Sequence, residues 1–172
     1  MENLAAEIGN RIRELAQTDQ VDHLLVPNLP DIGSIPESLG NPSAAAARTT
    51  VTIAFNAALE TELNDLTNEL TGVTIYQLVI FNLFDQMLMN SLDYGFLNVT
   101  EPYASASGSP DPTTYAFYDD IHPTTRSHQY VGLAALLLVD TSRPIELISQ
   151  SIEPDLSLRQ TWLANPGQTY QV

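Results

Sequence analysis

The amino-acid sequence predicts an α/β domain built on a parallel sheet. Long segments repeat apolar residues at helical spacing, short β-rich apolar runs alternate with them, and no tight hairpin signal joins one run to the next. At 172 residues the chain has the length of one domain, or of one domain with a short appendage.

The elements follow in order. Leu4, Ile8, Ile12 and Leu15 recur at helical spacing with Glu7, Arg11 and Glu14 between them, so residues 2–17 form an amphipathic helix. Val21 to Val26 is a short apolar run backed by Pro27 and Pro30, which reads as a buried strand ending in a loop. Asp31 to Pro42, rich in Gly, Pro and Ser, is surface loop. Ser43 to Leu70 is one long helix with Val51, Phe55, Leu59, Leu63, Leu66 and Leu70 in a stripe, Ser43 as N-cap and Gly72 as its stop. Val73 to Ile80 is a second core strand. Phe81 to Leu92 is helical, with Leu83, Met87 and Leu88 on or near one face. Asp93 to Pro112 is irregular, and a Tyr/Phe/Asp-rich segment runs from Tyr115 to Ile121. His122-Pro123-Thr124 then opens a helix whose Val131, Ala134, Ala135 and Leu138 face a core.

Two strands are fewer than a free-standing parallel sheet needs, and Met1-Glu2-Asn3-Leu4 reads as the middle of a helix. Both features predict that residues 1–139 are the C-terminal part of a longer domain whose N-terminal half is missing from this chain. After Asp140 the helical period stops and Pro144, Pro154 and Pro166 punctuate short apolar pieces. Residues 140–172 read as a linker and the start of a β module, with Leu156-Ser157-Leu158 and Thr169 to Val172 as its candidate strands.

Composition narrows function. The 6 basic residues are all Arg and face 21 acidic ones, for a net charge of −15. No basic stripe exists to displace counterions from phosphate, so a nucleic-acid partner is excluded, as is electrostatic docking on an anionic membrane. The longest apolar stretch, Val131 to Val139, is interrupted by Gly132 and far too short for a transmembrane segment. The N-terminus has no basic and apolar regions of a signal peptide. With Cys 0, disulfides, thiolate metal sites and a Cys nucleophile are ruled out.

The strongest local chemistry is Tyr118-Asp119-Asp120-Ile121-His122-Pro123-Thr124. A carboxylate three residues before a His can accept the Nδ1 proton, fix the tautomer and leave Nε2 free to take a proton from a nucleophile. Asp119 and Asp120 both qualify by proximity, and the spacing favours Asp119. The same spacing also arises where an Asp caps a helix beside an exposed His. His128, six residues on, suits a hydrogen bond supporting the loop or helix, and His23 a structural role. His122, His128 and Asp119 match no common zinc spacing, and Asp111, Asp119 and Asp120 lack a calcium-loop pattern, so neither metal nor cofactor is expected. Ser34 has no Gly-x-Ser-x-Gly elbow, and Ser105, Ser107 and Ser109 lie in a solvated loop. Tyr94, Phe96, Tyr115, Phe117 and Tyr118 suit either an acyl groove or core packing.

The run Tyr-Asp-Asp-Ile-His-Pro-Thr-Thr with His128 resembles the last sequence block of the GDSL/SGNH esterase and lipase superfamily. Leu25-Val26-Pro27-Asn28-Leu29-Pro30-Asp31-Ile32-Gly33 resembles the strand-and-loop segment in the middle of these enzymes. Asp93-Tyr94-Gly95-Phe96-Leu97-Asn98-Val99-Thr100 resembles a segment of their bacterial lipase/phospholipase branch. The similarity covers residues 2–139. It implies a flavodoxin-like α/β/α sandwich, ester hydrolysis by Ser, His and Asp, and Asp119 and His122 as the matching catalytic positions. The family's Gly-Asp-Ser and Gly-x-Asn-Asp blocks, carrying nucleophile and oxyanion donor, are absent here. Glu62-Leu63-Asn64-Asp65 sits within a helical segment without the Gly and is a coincidence. Tyr103 stands where many relatives have a Cys, which leaves catalysis untouched. The resemblance implies a small-molecule or lipid ester substrate, a chain nearly inactive alone, and, with the β-like tail, an exported protein. A non-catalytic remnant or interaction module on the same scaffold is the alternative.

Overall fold

A computed structural model describes residues 2–140, 145–152 and 158–164. They form a mixed α/β arrangement: α1 (Glu2–Gln17), β1 (His23–Pro27), α2 (Pro36–Leu39), α3 (Pro42–Glu69), β2 (Thr74–Leu78), α4 (Ile80–Met89), α5 (Thr125–Val139), β3 (Ile145–Ile152) and β4 (Leu158–Ala164). β1 and β2 pair in parallel, His23 opposite Thr74 and Pro27 opposite Leu78, with α3 as the crossover. A parallel pair requires a crossover of this kind.

α1 matches its expected span. α3 begins one residue earlier than expected, and its cap differs. Pro42 occupies the first turn, where a missing N–H costs nothing, and Asn41 rather than Ser43 is the N-cap, its side chain accepting from Ala44 N–H at 3.2 Å. Gly72 lies two residues past the C-cap Leu70, at φ +86°, a left-handed conformation that suits Gly in the turn into β2. Leu59, Leu63, Leu66 and Leu70 pack with Ala5 and Ile12 of α1 and with Leu24, Val26 and Ile75 of the strands. Val51 departs from the predicted stripe. At 46% exposed it lines an open apolar groove of about 370 Å³ with Leu4, Ile8 and Phe55.

β1 is not the buried strand its composition suggested. Alternation turns Leu24 and Val26 onto α1 and α3, and leaves Leu25 40% exposed on the opposite face. α5 lies against β2. Its buried line is Ser127, Tyr130 and Leu137, while the expected Val131, Ala134, Ala135 and Leu138 are half-buried beside it. The expected loop 31–42 contains α2, and Ser38 within it is buried.

A second core joins α4 to the irregular segment: Leu83, Phe84, Met87, Tyr94, Phe96, Ala116, Phe117 and Tyr130. Tyr94 and Phe96 meet the Tyr130 ring edge-on at 5.0 and 6.0 Å, so they are core residues and not walls of an acyl groove. Arg126 ties this core together, donating to the Tyr94 carbonyl at 2.9 Å and to Tyr130 Oη at 3.1 Å.

β3 and β4 pair antiparallel, Ile145 opposite Ala164 and Ile152 opposite Leu158. Of the strands expected after Asp140, only Leu158 falls within these elements; residues 156–157 and 169–172 lie outside the described residues. Among the described residues no helix is long and apolar enough to cross a membrane.

Candidate functional site

The loop from Tyr115 to Thr124 is hung from the second core by its backbone. Thr124 N–H donates to the Ala116 carbonyl, and Tyr103 N–H to that of Phe117, both at 2.9 Å. The buried Ser127 hydroxyl donates to the Ala116 carbonyl at 2.7 Å, and the buried Thr124 hydroxyl to that of Tyr115 at 2.8 Å. Thr124 is also the N-cap of α5, accepting from Ser127 N–H. Pro123, without an N–H to satisfy, stands just before the cap.

Past this anchor the chain turns back on itself. Tyr118 N–H donates to the His122 carbonyl at 2.7 Å. Inside the turn, Asp119 Oδ1 accepts from the backbone N–H groups of His122 at 2.6 Å and Ile121 at 2.9 Å. The His122 imidazole folds over the same carboxylate, Nδ1 lying 2.8 Å from Oδ2 and 3.0 Å from Oδ1. The carboxyl of Asp119 is pulled from 3.8 down to about 2, first by the His122 N–H, then by the Ile121 N–H and the imidazole. Facing an ionised carboxylate, Nδ1 carries the ring proton and Nε2 is left as an acceptor. Nε2 has no hydrogen-bond partner among the described residues, and the His122 side chain is 71% exposed.

This turn resolves the choice of carboxylate: Asp119 meets the imidazole, whereas the backbone carbonyl of Asp120 accepts from Glu37 N–H at 3.0 Å. A pH prediction follows. Because the folded carboxyl titrates below its unfolded value, the turn's stabilisation is present above pH about 4 and lost as pH falls through about 2. A carboxyl carbon NMR titration of Asp119 should show a midpoint near 2; an ordinary midpoint near 4 would contradict the geometry.

Beside the turn lies an apolar cavity of about 180 Å³. Ile121 and Pro123, the two neighbours of His122, form one wall with Phe117. Leu29, Ile32 and Ile35, with Asp31 and Ser34 among them, and Phe84, Asp85 and Leu88 of α4 complete its lining. Of the aromatics expected to line a groove, Phe117 does so; Tyr115 instead meets the Tyr103 ring edge-on at 5.8 Å, and Tyr118 lies tilted to it at 6.2 Å. Sequence reasoning missed the aliphatic wall, because Leu29, Ile32 and Ile35 sit in a loop rich in Pro and Gly and show no period. It is held by Asn56, whose side chain both accepts from Leu29 N–H and donates to the Leu29 carbonyl at 2.9 Å. Asp31 adds bonds from Gly33 N–H and from the Ser34 and Thr49 hydroxyls.

The remaining candidates have structural partners. Ser34 donates to the Asp31 carboxylate at 2.9 Å and lines the same cavity as Ile121 and Pro123. His128 Nδ1 lies 3.0 Å from the Thr124 carbonyl, and His23 pairs with Asp22 and stacks on Tyr76. Asp111 caps the turn at Pro112–Thr114 through Thr113 N–H. Glu62 binds Arg13 and Asn64 accepts from Gln77, both from α3. Among the described residues no three His, Cys, Asp or Glu side chains come together to hold a metal.

No protein-family model matches the chain. Over 178 aligned positions, covering 96% of the chain, it is 26% identical to an uncharacterised Pseudomonas putida protein from the trpE–trpG intergenic region. Over 81 residues, 45% of the chain, it is 30% identical to an Arabidopsis thaliana protein named as a GDSL esterase/lipase. The chain spans 30% and 24% of the length of these two relatives.

Proposed function

We propose that this chain carries the base-and-orienter half of a serine ester hydrolase of the SGNH type, with residues 1–139 as the C-terminal part of its α/β/α domain and residues 140–172 as linker and opening β module. The observation that carries the reading is the Asp119–His122 pair, its Nε2 without a partner among the described residues and its neighbours Ile121 and Pro123 lining an apolar cavity. The partial likeness to a GDSL esterase/lipase supports it.

In the reaction, Nε2 of His122 takes the proton of a serine hydroxyl as that oxygen attacks the ester carbonyl. Asp119 holds the ring and stabilises the imidazolium that forms. The tetrahedral intermediate collapses, the C–O bond to the alcohol breaks, and Nε2–H returns the proton to the departing oxygen. Water repeats the sequence on the acyl-serine, releasing the carboxylic acid. The cavity beside His122 receives the acyl chain of a lipid or acyl-glycerol ester. The serine and oxyanion donors come from outside residues 1–172. Without them the dyad supplies little acceleration, because donors aimed at the oxyanion are commonly the largest contribution.

The test compares residues 1–172 with a chain extended upstream through a strand and its Gly-Asp-Ser turn, on a p-nitrophenyl ester. The extended chain should turn over and the short one should barely exceed background. An inactive extended chain, or an upstream segment with no such turn, would leave a scaffold without the reaction.

A further inference from the structure

Arg48 reaches from α3 to α2 and holds two of its residues. Nη1 donates to Ser38 Oγ at 2.7 Å and to Glu37 Oε2 at 3.1 Å. Ser38 is 1% exposed, and its hydroxyl donates in turn to the Ile32 carbonyl at 2.6 Å. Arg48 therefore fills the acceptor side of a buried hydroxyl. α2 has four residues and its N-cap, Ile35, offers no side-chain bond, so the helix has no stability of its own. One backbone bond leads outward from it: Glu37 N–H to the Asp120 carbonyl, inside the loop that carries Asp119 and His122. Ile32 and Ile35, just before α2, line the apolar cavity together with Ile121 and Pro123.

We infer that Arg48 is a positioning residue acting through α2: it holds in place the Ile32 and Ile35 side of this cavity, next to the loop that carries His122. The Asp119 turn is closed by its own bonds, from Ile121, His122 and Tyr118, so the dyad does not need Arg48 for its internal geometry. Without the guanidinium, buried Ser38 lacks its donor and α2 loses its tether to α3. The cavity wall then shifts while the Asp119–His122 pair persists. The inference rests on the cavity assigned above to the acyl chain, but not on turnover.

The experiment titrates 1-hexanol into residues 1–172 and reads binding from the methyl carbon shifts of Ile35 and Ile121. Imidazole nitrogen shifts of His122 report the dyad, and a thermal melt reports folding. Arg48→Ala should weaken hexanol binding about tenfold, with the imidazole signals unmoved. Arg48→Lys keeps the charge but presents a point donor in place of the fork, and its affinity should fall between. If Arg48→Ala does not fold, Arg48→Lys decides. Unchanged binding in the folded variant overturns the inference. So does concerted loss of binding and of the imidazole signature, which makes Arg48 a general support of the fold. A wild-type chain that binds no hexanol at these methyls overturns it as well. A failed esterase assay with the shifts intact removes the catalytic reading and leaves the positioning role standing.

Discussion

His122→Ala, placed in a chain extended to include the serine, is expected to lower kcat on a p-nitrophenyl ester by roughly 10⁶-fold. The imidazole is the acceptor for the serine proton and the donor to the departing alcohol, so both halves of the acyl transfer fail together. The loss should not come from unfolding. The side chain is 71% exposed, and the turn keeps its backbone bonds from Ile121 and Tyr118. Asp119→Asn should lose roughly 10²–10⁴-fold, because the amide still accepts from the backbone but no longer favours the proton on Nδ1 or stabilises the imidazolium. Matched circular dichroism and melting curves would separate chemistry from fold. Retained turnover in a folded His122→Ala variant would end the assignment.

Phe96→Ala should cost about 3–5 kcal/mol of stability, the range for emptying an aromatic site in a closed core. Phe96 is 0% exposed and packs edge-on against Tyr130, within the cluster that also holds Ala116 and Phe117. Those two residues anchor the strand of loop that ends in the Asp119 turn. The variant should therefore loosen the site as well as the fold. Urea unfolding followed by far-UV circular dichroism gives the stability, and the imidazole nitrogen shifts of His122 give the site. A loss below about 1 kcal/mol would mean that the cluster closes around the gap or is not packed as described.

The Phe96 case separates what was legible from what was not. Periodicity marked α1, α3, α4 and α5, because a helix that buries one face must repeat apolar residues every three or four positions. Composition marked β1 and β2, whose apolar or β-rich runs are short and bounded by loop residues. Tyr94 and Phe96 lie in an irregular segment with no period. Their aromatic character fitted core and groove equally well, and only their packing on Tyr130 decided for the core. Val51 failed in the opposite sense: a stripe states which residues share a face, not how far along the helix a partner covers it. α1 covers α3 from Leu59 onward.

The residue pair at the site was readable from spacing and resemblance, since three residues is the reach of a turn that folds back on its own backbone. Spacing already favoured Asp119 over Asp120, and in the tertiary structure the Asp119 carboxylate meets the imidazole while the Asp120 backbone carbonyl accepts from Glu37 N–H. The cavity lining was invisible in the sequence. Asn28, Asn56 and Arg48 act across long separations in the chain: Asn28 accepts from Phe81 N–H at the start of α4, Asn56 clasps Leu29, and Arg48 holds α2. The sequence by itself determined the four longer helices, the two parallel strands, the acidic charge and the candidate dyad, because each depends on neighbours within a few residues. Only the tertiary structure decided what lines the cavity near the dyad, because hydrogen bonds between distant segments leave no local pattern.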